Sequence, residues 1–526
     1  AEPNLPTTIH RSTAPSSAMA TTISTNGCAA PNHAVNGASN QSGRDHIVLF
    51  PFMAKGHTLP LLHFATALSV HQKSLRITMV VTPANVAFAS SRLPASVKLA
   101  VLPFPSLPPL PSVVESTDTL PGPALYPTFL NATALLREPF AEFLASLPSP
   151  PLVLISDFFL GFTHGVAADA GVRRIVFHGM SCFALAMCKS LIVSPPPSVE
   201  QGASFQVARM PEHVRITAAE VPDTVAKIAD PEDPVTRFII DHIGESDERS
   251  WGVLVNSFGT VDEDYVAPLL SFYQPDARAW LVGPMFLAAA EREEEQDPEG
   301  CLPWLDERAE RSESVIYVSF GTQAYVSDEQ LDELARGLVQ SGHHFLWAVR
   351  SATWSSPPVD VGPRGRIVRG WVPQRSVLAH RAVGGFISHC GWNSVMESLA
   401  AGKPVLAWPL MAEQHLNAYH VADVLGAGVR ITDVKVAGGT VVERAEVERK
   451  VKMLMDAGEE GQKIRKRATW ARLAAKSAVS DGGTSHVALM KLVEELQRSY
   501  CDVIVGEKDH RANRILLAEA HASTTV

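Results

Sequence analysis

A chain of 526 residues, 46% hydrophobic and 19% charged, carries apolar surface for more than one core, and its length points to two domains. A net charge of −10 without any Lys/Arg-rich stripe argues against nucleic acid as partner, and no apolar run reaches the roughly 18 residues of a membrane span. The six cysteines (Cys28, Cys182, Cys188, Cys301, Cys390 and Cys501) show neither a CxxC pair nor a disulfide-framework spacing. With no apolar signal-peptide core at the N-terminus, the expected location is the cytoplasm.

Residues 1–43 are rich in Ser, Thr, Ala and Asn and read as a disordered extension; the first residue is Ala, and Met19 is a candidate natural start. Order is expected from Asp45. Residues 46–50 read as a short buried strand, followed by the loop Pro51-Phe52-Met53-Ala54-Lys55-Gly56-His57-Thr58. Thr58 is a candidate cap for a helix whose early turn holds Pro60. One glycine does not make GxGxxG, so the dinucleotide fingerprint is absent. His57 falls at the C-terminal edge of a strand, where open parallel sheets bind ligands, although by position alone a capping or surface histidine is commoner.

A second strand is expected over 75–81 and a Pro-rich surface loop over 102–123. Residues 128–147 read as mostly helical, with Thr128 as cap and Pro139 as kink or break. The strand 151–159 ends in Asp157. That carboxylate either caps the helix 162–170 or reaches His57 across neighbouring strand ends, where it would fix the imidazole tautomer and stabilise the imidazolium. Further strands are expected at 174–178, 252–256 and 279–283, and the apolar helical stretch 178–197 reads as core. A charged segment, 287–301, reads as an interdomain linker.

The second half opens as the first does, with a strand from 314 running into a turn at Gly321-Thr322, a helix over 327–341 capped by Ser327 or Asp328, and a strand over 345–350. The run 383–388 is another buried strand. His389-Cys390-Gly391-Trp392-Asn393-Ser394 follows as a tight turn, and 395–401 as a helix stopped by Gly402 and Pro404. Strand, glycine-bearing turn and helix N-terminus together form an anion site, and His389, Asn393 and Ser394 add donors suited to a diphosphate. Ser394-x-x-Glu397 is equally a capping box, which needs no ligand. His389-Cys390 lacks a second pair at zinc spacing. Amphipathic helices are expected over 442–456 and 463–478, and a last one from 481 to 500; residues 501–526 are a tail without assignment.

Taken whole, 371–414 resembles the plant secondary-product glycosyltransferase box of UDP-sugar-dependent glycosyltransferases. It has the full 44-residue length, opens with the family's Trp (Trp371), carries its His-Cys-Gly-Trp-Asn-Ser core and closes with its Gln (Gln414). The resemblance extends from about Asp45 to Tyr500. It implies an α/β protein of the GT-B fold, two facing Rossmann-like domains with a donor/acceptor cleft between them. An acceptor-binding domain would span 44–286 and a UDP-sugar domain 302–480, with the helix 481–500 crossing back to the first. The implied activity is inverting, metal-independent transfer of glucose from UDP-glucose, a co-substrate and not a cofactor. The implied acceptor is a hydroxyl of a small hydrophobic plant metabolite such as a flavonoid or phenolic, and the expected enzyme is a monomer that needs no metal.

The resemblance also assigns residues. Gly56-His57 falls on the family's catalytic base and Asp157 on its partner. Trp371 would stack on uracil, Val372 and Gln374 lie at the uracil and ribose contacts, and Glu397, on the first turn of its helix, would accept from ribose hydroxyls. His389, Asn393, Ser394 and Thr322 would hold the diphosphate. Trp392, Glu413 and Gln414 would address the sugar; Glu413 stands where many relatives carry Asp, and a closing Gln with Trp392 favours glucose. Phe52, Phe158, Met180 and Phe183 would wall the acceptor pocket. Other classes fit less well. A serine hydrolase wants Gly-x-Ser-x-Gly, and Gly179-Met180-Ser181-Cys182-Phe183 lacks the second glycine. A nucleotide-sugar epimerase would not need a hydrophobic acceptor pocket, and a non-catalytic UDP-sugar-binding protein would not need both His57 and Asp157.

Overall fold

The computed structural model describes residues 45–197, 200, 202–230, 232–289, 296–321, 326–351, 353–431 and 441–498. Thr322, the middle of the expected linker, and both terminal segments as expected from the sequence (1–43 and 501–526) lie outside them. Aliphatic and β-branched runs, bounded by Gly, Pro and polar turns, form the strands. In chain order these are β1 (His46–Phe50), β2 (Arg76–Val81), β3 (Val97–Val101), β4 (Val153–Asp157), β5 (Arg174–His178), the short pair β6 (Phe205–Gln206) and β7 (Arg215–Ile216), β8 (Gly252–Val255), β9 (Arg278–Leu281), β10 (Val315–Ser319), β11 (His344–Ala348), β12 (Gly365–Val368), β13 (Val383–Ser388), β14 (Val405–Ala407) and β15 (Gly428–Arg430).

Among the described residues, seven strands form one sheet in the order β3-β2-β1-β4-β5-β8-β9, and six form a second in the order β12-β11-β10-β13-β14-β15. Every pairing in both sheets is parallel. Helices cover both faces of each, which is why β1 and β10 are buried along their whole length and read as unbroken apolar runs. These are two Rossmann-like lobes, the GT-B architecture.

The strand orders locate the binding crevices. In the first sheet the chain runs outward from β1 to β3, then returns to lay β4 on the other side of β1. In the second it runs from β10 to β12 and returns with β13 beside β10. Ligands bind outside the carboxyl ends of strands at such reversal points. The residues leaving β1 and β4 are those leading to His57 and ending in Asp157. Those leaving β10 and β13 lead to Gly321 and to Ser388-His389.

Several local expectations are corrected. The first long helix, Lys55–His71, starts three residues before Thr58 and is preceded by Ala54. Thr58 lies inside it and donates to the Phe52 carbonyl at 3.0 Å, so it braces the loop and does not cap the helix. Residues 128–147 hold two helices, Tyr126–Ala134 and Arg137–Ser146. The break precedes Pro139, which sits in the first turn of the second helix, where a missing N–H costs nothing. The Pro-rich stretch is not only surface: Leu102, Leu110 and Val114 are buried in the first lobe. Strands β3, β12, β14 and β15 were not expected from the sequence.

Residues 484–498 are helical, and Leu489, Leu492, Val493 and Leu496 are buried in a first-lobe cluster with Ile47, Leu61 and Leu68. Ser485 Oγ donates to the Gly283 carbonyl at 2.5 Å. Burial of each such aliphatic side chain contributes about 1.5–3 kcal/mol.

Candidate active site

His57 is the third residue of the helix Lys55–His71, and its Nδ1 lies 2.8 Å from Asp157 Oδ2. Asp157 ends β4, which pairs with β1, so the two side chains meet across adjacent strand ends. The carboxylate is wholly buried and fixed: Oδ1 accepts from the Phe159 N–H at 3.0 Å, and Arg174 Nη2 donates to the Asp157 carbonyl at 3.1 Å. Phe52, Phe159 and Phe158 stand 5.5, 5.6 and 5.9 Å from the His57 ring. Burial disfavours a charged imidazole, but the Asp157 carboxylate, helped by Glu413, outweighs it and holds the His57 pKa above the usual value. Nδ1 is taken by Asp157, and the side chain keeps 23% exposure, which leaves Nε2 as the nitrogen for a substrate proton.

The facing element is the turn after β13. Cys390 adopts φ +64°, Gly391 is the N-cap, and the helix runs Trp392–Ala401. His389 is clamped between glycines: a Cβ on Gly321 would lie 2.7 Å, and one on Gly391 2.6 Å, from its Nε2. Burial pushes the His389 pKa down to about 4 against a smaller raising effect from a backbone hydrogen bond with Ser319, so near neutral pH the ring is uncharged and has a single N–H. Its Nδ1 is buried with no hydrogen-bond partner among the described residues.

The expected capping box does not form. The helix begins three residues earlier than expected, which puts Ser394 at its third position and Glu397 in its second turn. Instead, Gln374 Nε2 donates to Ser394 Oγ at 3.0 Å and to Glu397 Oε2 at 2.7 Å, while Tyr317 OH donates to Gln374 Oε1 at 3.3 Å. Asn393 Nδ2 donates to the Gly56 carbonyl at 2.6 Å and its Oδ1 accepts from Asn256 Nδ2 at 3.3 Å. The turn and the helix of His57 are therefore joined across the cleft. Trp371 is 37% exposed, with Lys55 Nζ 6.0 Å from its ring centroid, whereas Val372 is buried in the second lobe.

Trp392 is buried, stacks on His420 and donates its indole N–H to the Asn256 carbonyl at 2.8 Å, so its one side-chain donor is already used within the protein. Burial raises the Glu413 pKa. Gln414 Oε1 accepts from the N–H groups of Leu410 and Met411 at 2.9 and 3.1 Å, which turns its Nε2 away as a fixed donor.

The four candidate acceptor residues separate. Phe158 and Met180 are half-buried, and Phe158 stacks on His178 at 4.6 Å. Phe52 and Phe183 are fully buried. Phe52 packs on Phe159 and Phe129 behind His57, and Phe183 lies against His420 and Tyr265 between the lobes. Phe104, Leu107, Leu120, Leu125 and Tyr126, of the Pro-rich stretch and of the short segment after it, are half-buried against the same first-lobe core, and apolar residues spaced between prolines were the available signal for them. Asn256, Ser181 and Asn417 carried none.

A family model described as UDP-glucoronosyl and UDP-glucosyl transferase matches residues 284–506. The chain is 33% identical to a scopoletin glucosyltransferase of Nicotiana tabacum over 86% of its own length and 98% of that protein. It is 34% identical to the flavonol 3-O-glucosyltransferase UGT89B1 of Arabidopsis thaliana over 86% of itself and 96% of that relative. The chain belongs to the plant UDP-glycosyltransferase family. Among solved structures, Medicago truncatula UGT71G1 complexed with UDP-glucose superposes with a TM-score of 0.72 at 26% identity, covering 86% of this chain and 98% of that one. This plant UDP-glycosyltransferase is therefore an enzyme, with a UDP-sugar as co-substrate and not as cofactor. Among the described residues no helix is long and apolar enough to cross a membrane, and no group of three or more His, Cys, Asp or Glu is placed to hold a metal.

Proposed function

We propose that this enzyme transfers glucose from UDP-glucose, with inversion, to a hydroxyl of a small hydrophobic acceptor of the flavonoid or phenolic type. The observation that carries the reading is the His57–Asp157 pair, at 2.8 Å, opposite a turn and helix N-terminus that a hydrogen bond from Asn393 to Gly56 joins to the same helix. His57 Nε2 takes the acceptor proton as the oxygen attacks the anomeric carbon. The bond to UDP breaks on the opposite side, and the diphosphate leaves with the electron pair.

Charge developing on UDP meets the amide groups at the start of the helix Trp392–Ala401, the neutral His389 N–H and the Ser394 hydroxyl. Thr322 lies outside the described residues, and its hydroxyl is proposed as a further donor to the diphosphate. These donors supply the stabilisation without a metal. Trp371, exposed on one side, stacks on uracil; Val372 and Gln374 stand beside it, and Glu397 accepts from the ribose. Glu413 and the fixed Nε2 of Gln414 read the sugar hydroxyls, with Trp392 as packed support. The relatives named for scopoletin and flavonol support an aromatic hydroxyl as acceptor. Half-buried Phe158, Met180 and Tyr126 would flank it. Catalytic pair and donor residues belong to one chain, so a monomer suffices, and the free Cys182, Cys188, Cys301 and Cys390 suit the reducing cytoplasm.

The test is UDP release from UDP-glucose with EDTA present, against flavonoids and simple phenols, with His57→Ala alongside. Acceptor-dependent release that collapses in the variant is the expected result. Full activity in His57→Ala would remove the base, and loss of activity with EDTA would remove the metal-free mechanism.

A further inference from the structure

Asn417 lies three residues beyond Gln414 and is fully buried. Its Nδ2 donates to the Cys390 carbonyl at 3.0 Å and to Glu413 Oε1 at 3.3 Å, and its Oδ1 accepts from Ser181 Oγ at 3.2 Å. The three partners belong to different parts of the site. Cys390 is the positive-φ residue of the diphosphate turn, Glu413 faces the donor sugar, and Ser181 caps the helix Cys182–Val193 of the other lobe, accepting from the Ala184 N–H at 2.9 Å.

An amide has one accepting end and one donating end. The Cys390 carbonyl and the Glu413 carboxylate only accept, so the NH2 end faces them, which leaves Oδ1 for the proton of Ser181. A half-buried carboxylate held by its own backbone N–H and by Asn417 has few rotamers open to it. Two sugars that differ at one hydroxyl are told apart only if the acceptor atom stays in one place; a mobile carboxylate follows either epimer.

We infer that Asn417 is a positioning residue, which fixes Glu413 against the donor sugar and ties that orientation through Ser181 to the acceptor-side helix. The inference rests on the reading of Glu413 as an acceptor for sugar hydroxyls. Burial, the largest effect, favours the neutral acid at Glu413, while its own backbone N–H, the charge of His57 and, last, the bond from Asn417 draw it back towards the carboxylate that accepts from hydroxyls.

The test compares initial rates with UDP-glucose and UDP-galactose on one acceptor, in the full-length enzyme and in Asn417→Ser, Ser181→Ala, Ser181→Thr and Glu413→Ala, with UDP binding by calorimetry as the check on folding. The preference between the two donors is expected to fall about tenfold in Asn417→Ser. It should fall by a smaller factor in Ser181→Ala and return in Ser181→Thr, which keeps the hydroxyl. If Asn417→Ser does not fold, the Ser181 pair decides. An unchanged preference in the folded Asn417 and Ser181→Ala variants, with Glu413→Ala losing it, overturns the inference alone. An unchanged preference in Glu413→Ala overturns the reading of Glu413 and the inference with it.

Discussion

Replacing Asp157 by Asn changes one atom and tests the general base more sharply than removing His57. In the parent, Oδ1 accepts from the Phe159 N–H at 3.0 Å and Oδ2 faces His57 Nδ1 at 2.8 Å. The Phe159 N–H can only be met by an oxygen, so the new amide must turn its NH2 towards His57. Nδ1 then has to accept, the ring proton moves to Nε2, and the lone pair that should take the acceptor proton is gone. The loss expected in kcat/KM is on the order of a thousandfold, about 4 kcal/mol of transition-state stabilisation, with UDP binding kept. The pH profile supplies a second readout. Asp157 raises the His57 pKa, so the parent gains activity as pH rises through a value above the ordinary 6.5 and the base form appears. Without the carboxylate, burial is opposed only by the weaker effect of Glu413, and the acid limb of the residual activity shifts to lower pH. The assay is acceptor-dependent UDP release between pH 5 and 9. A loss below about tenfold, or an acid limb that stays in place, would refute the tautomer argument.

Trp371→Ala removes the aromatic face offered to uracil and should weaken UDP binding by about tenfold or more in calorimetry, with the fold intact. Phe183→Ala should lower stability by about 3–5 kcal/mol in denaturant titration and leave the order of preferred acceptors unchanged, because the ring is packed between lobes. A reordered acceptor panel would put it back in the pocket wall. Asn256→Ala deletes the side-chain donor to Asn393 and the acceptor for the Met285 N–H; it should lower kcat about tenfold through the loosened alignment of the two lobes. Stopped-flow single-turnover rates, which exclude slow product release, would check it.

The strands that proved easiest to read are those buried on both faces. HIVLF, RIVFH and VGGFIS have no alternation and end at polar or glycine positions, so their boundaries fall within a residue of the observed ones. Strand β3 escaped because Val97–Val101 is half-exposed at the sheet edge and reads as a weak alternation. β14 and β15 have three residues each, too few to carry a period, and are strands only because β13 offers a ladder to β14 and β14 one to β15. Helix starts were misplaced where the cap is backbone alone. Ser327, a real side-chain cap, was legible as a cap from the sequence; Thr58 and Ser394 have cap chemistry but sit inside helices, where their hydroxyls bind other partners.

The candidate site divides along the same line. Residues whose chemistry is local to a motif, such as His57, His389 and Glu413, were named from the sequence and lie around one cleft. Two of the side chains that join one lobe to the other escaped. Asn256 and Asn417 have no periodicity, no charge and no neighbour in sequence that betrays them; their significance is the partner they meet 137 and 236 residues away. The two amides act at opposite ends of the same turn. Asn256 holds Asn393, whose other end reaches the helix of the base, and Asn417 holds Cys390 and Glu413. The proposed mechanism sets the base on one lobe and the leaving group on the other and so needs such ties, because an error of about 1 Å between them costs roughly a hundredfold in rate. Buried amides suit this role. They bond in both directions without the desolvation cost of an ion pair, and they do not titrate across the working range of His57.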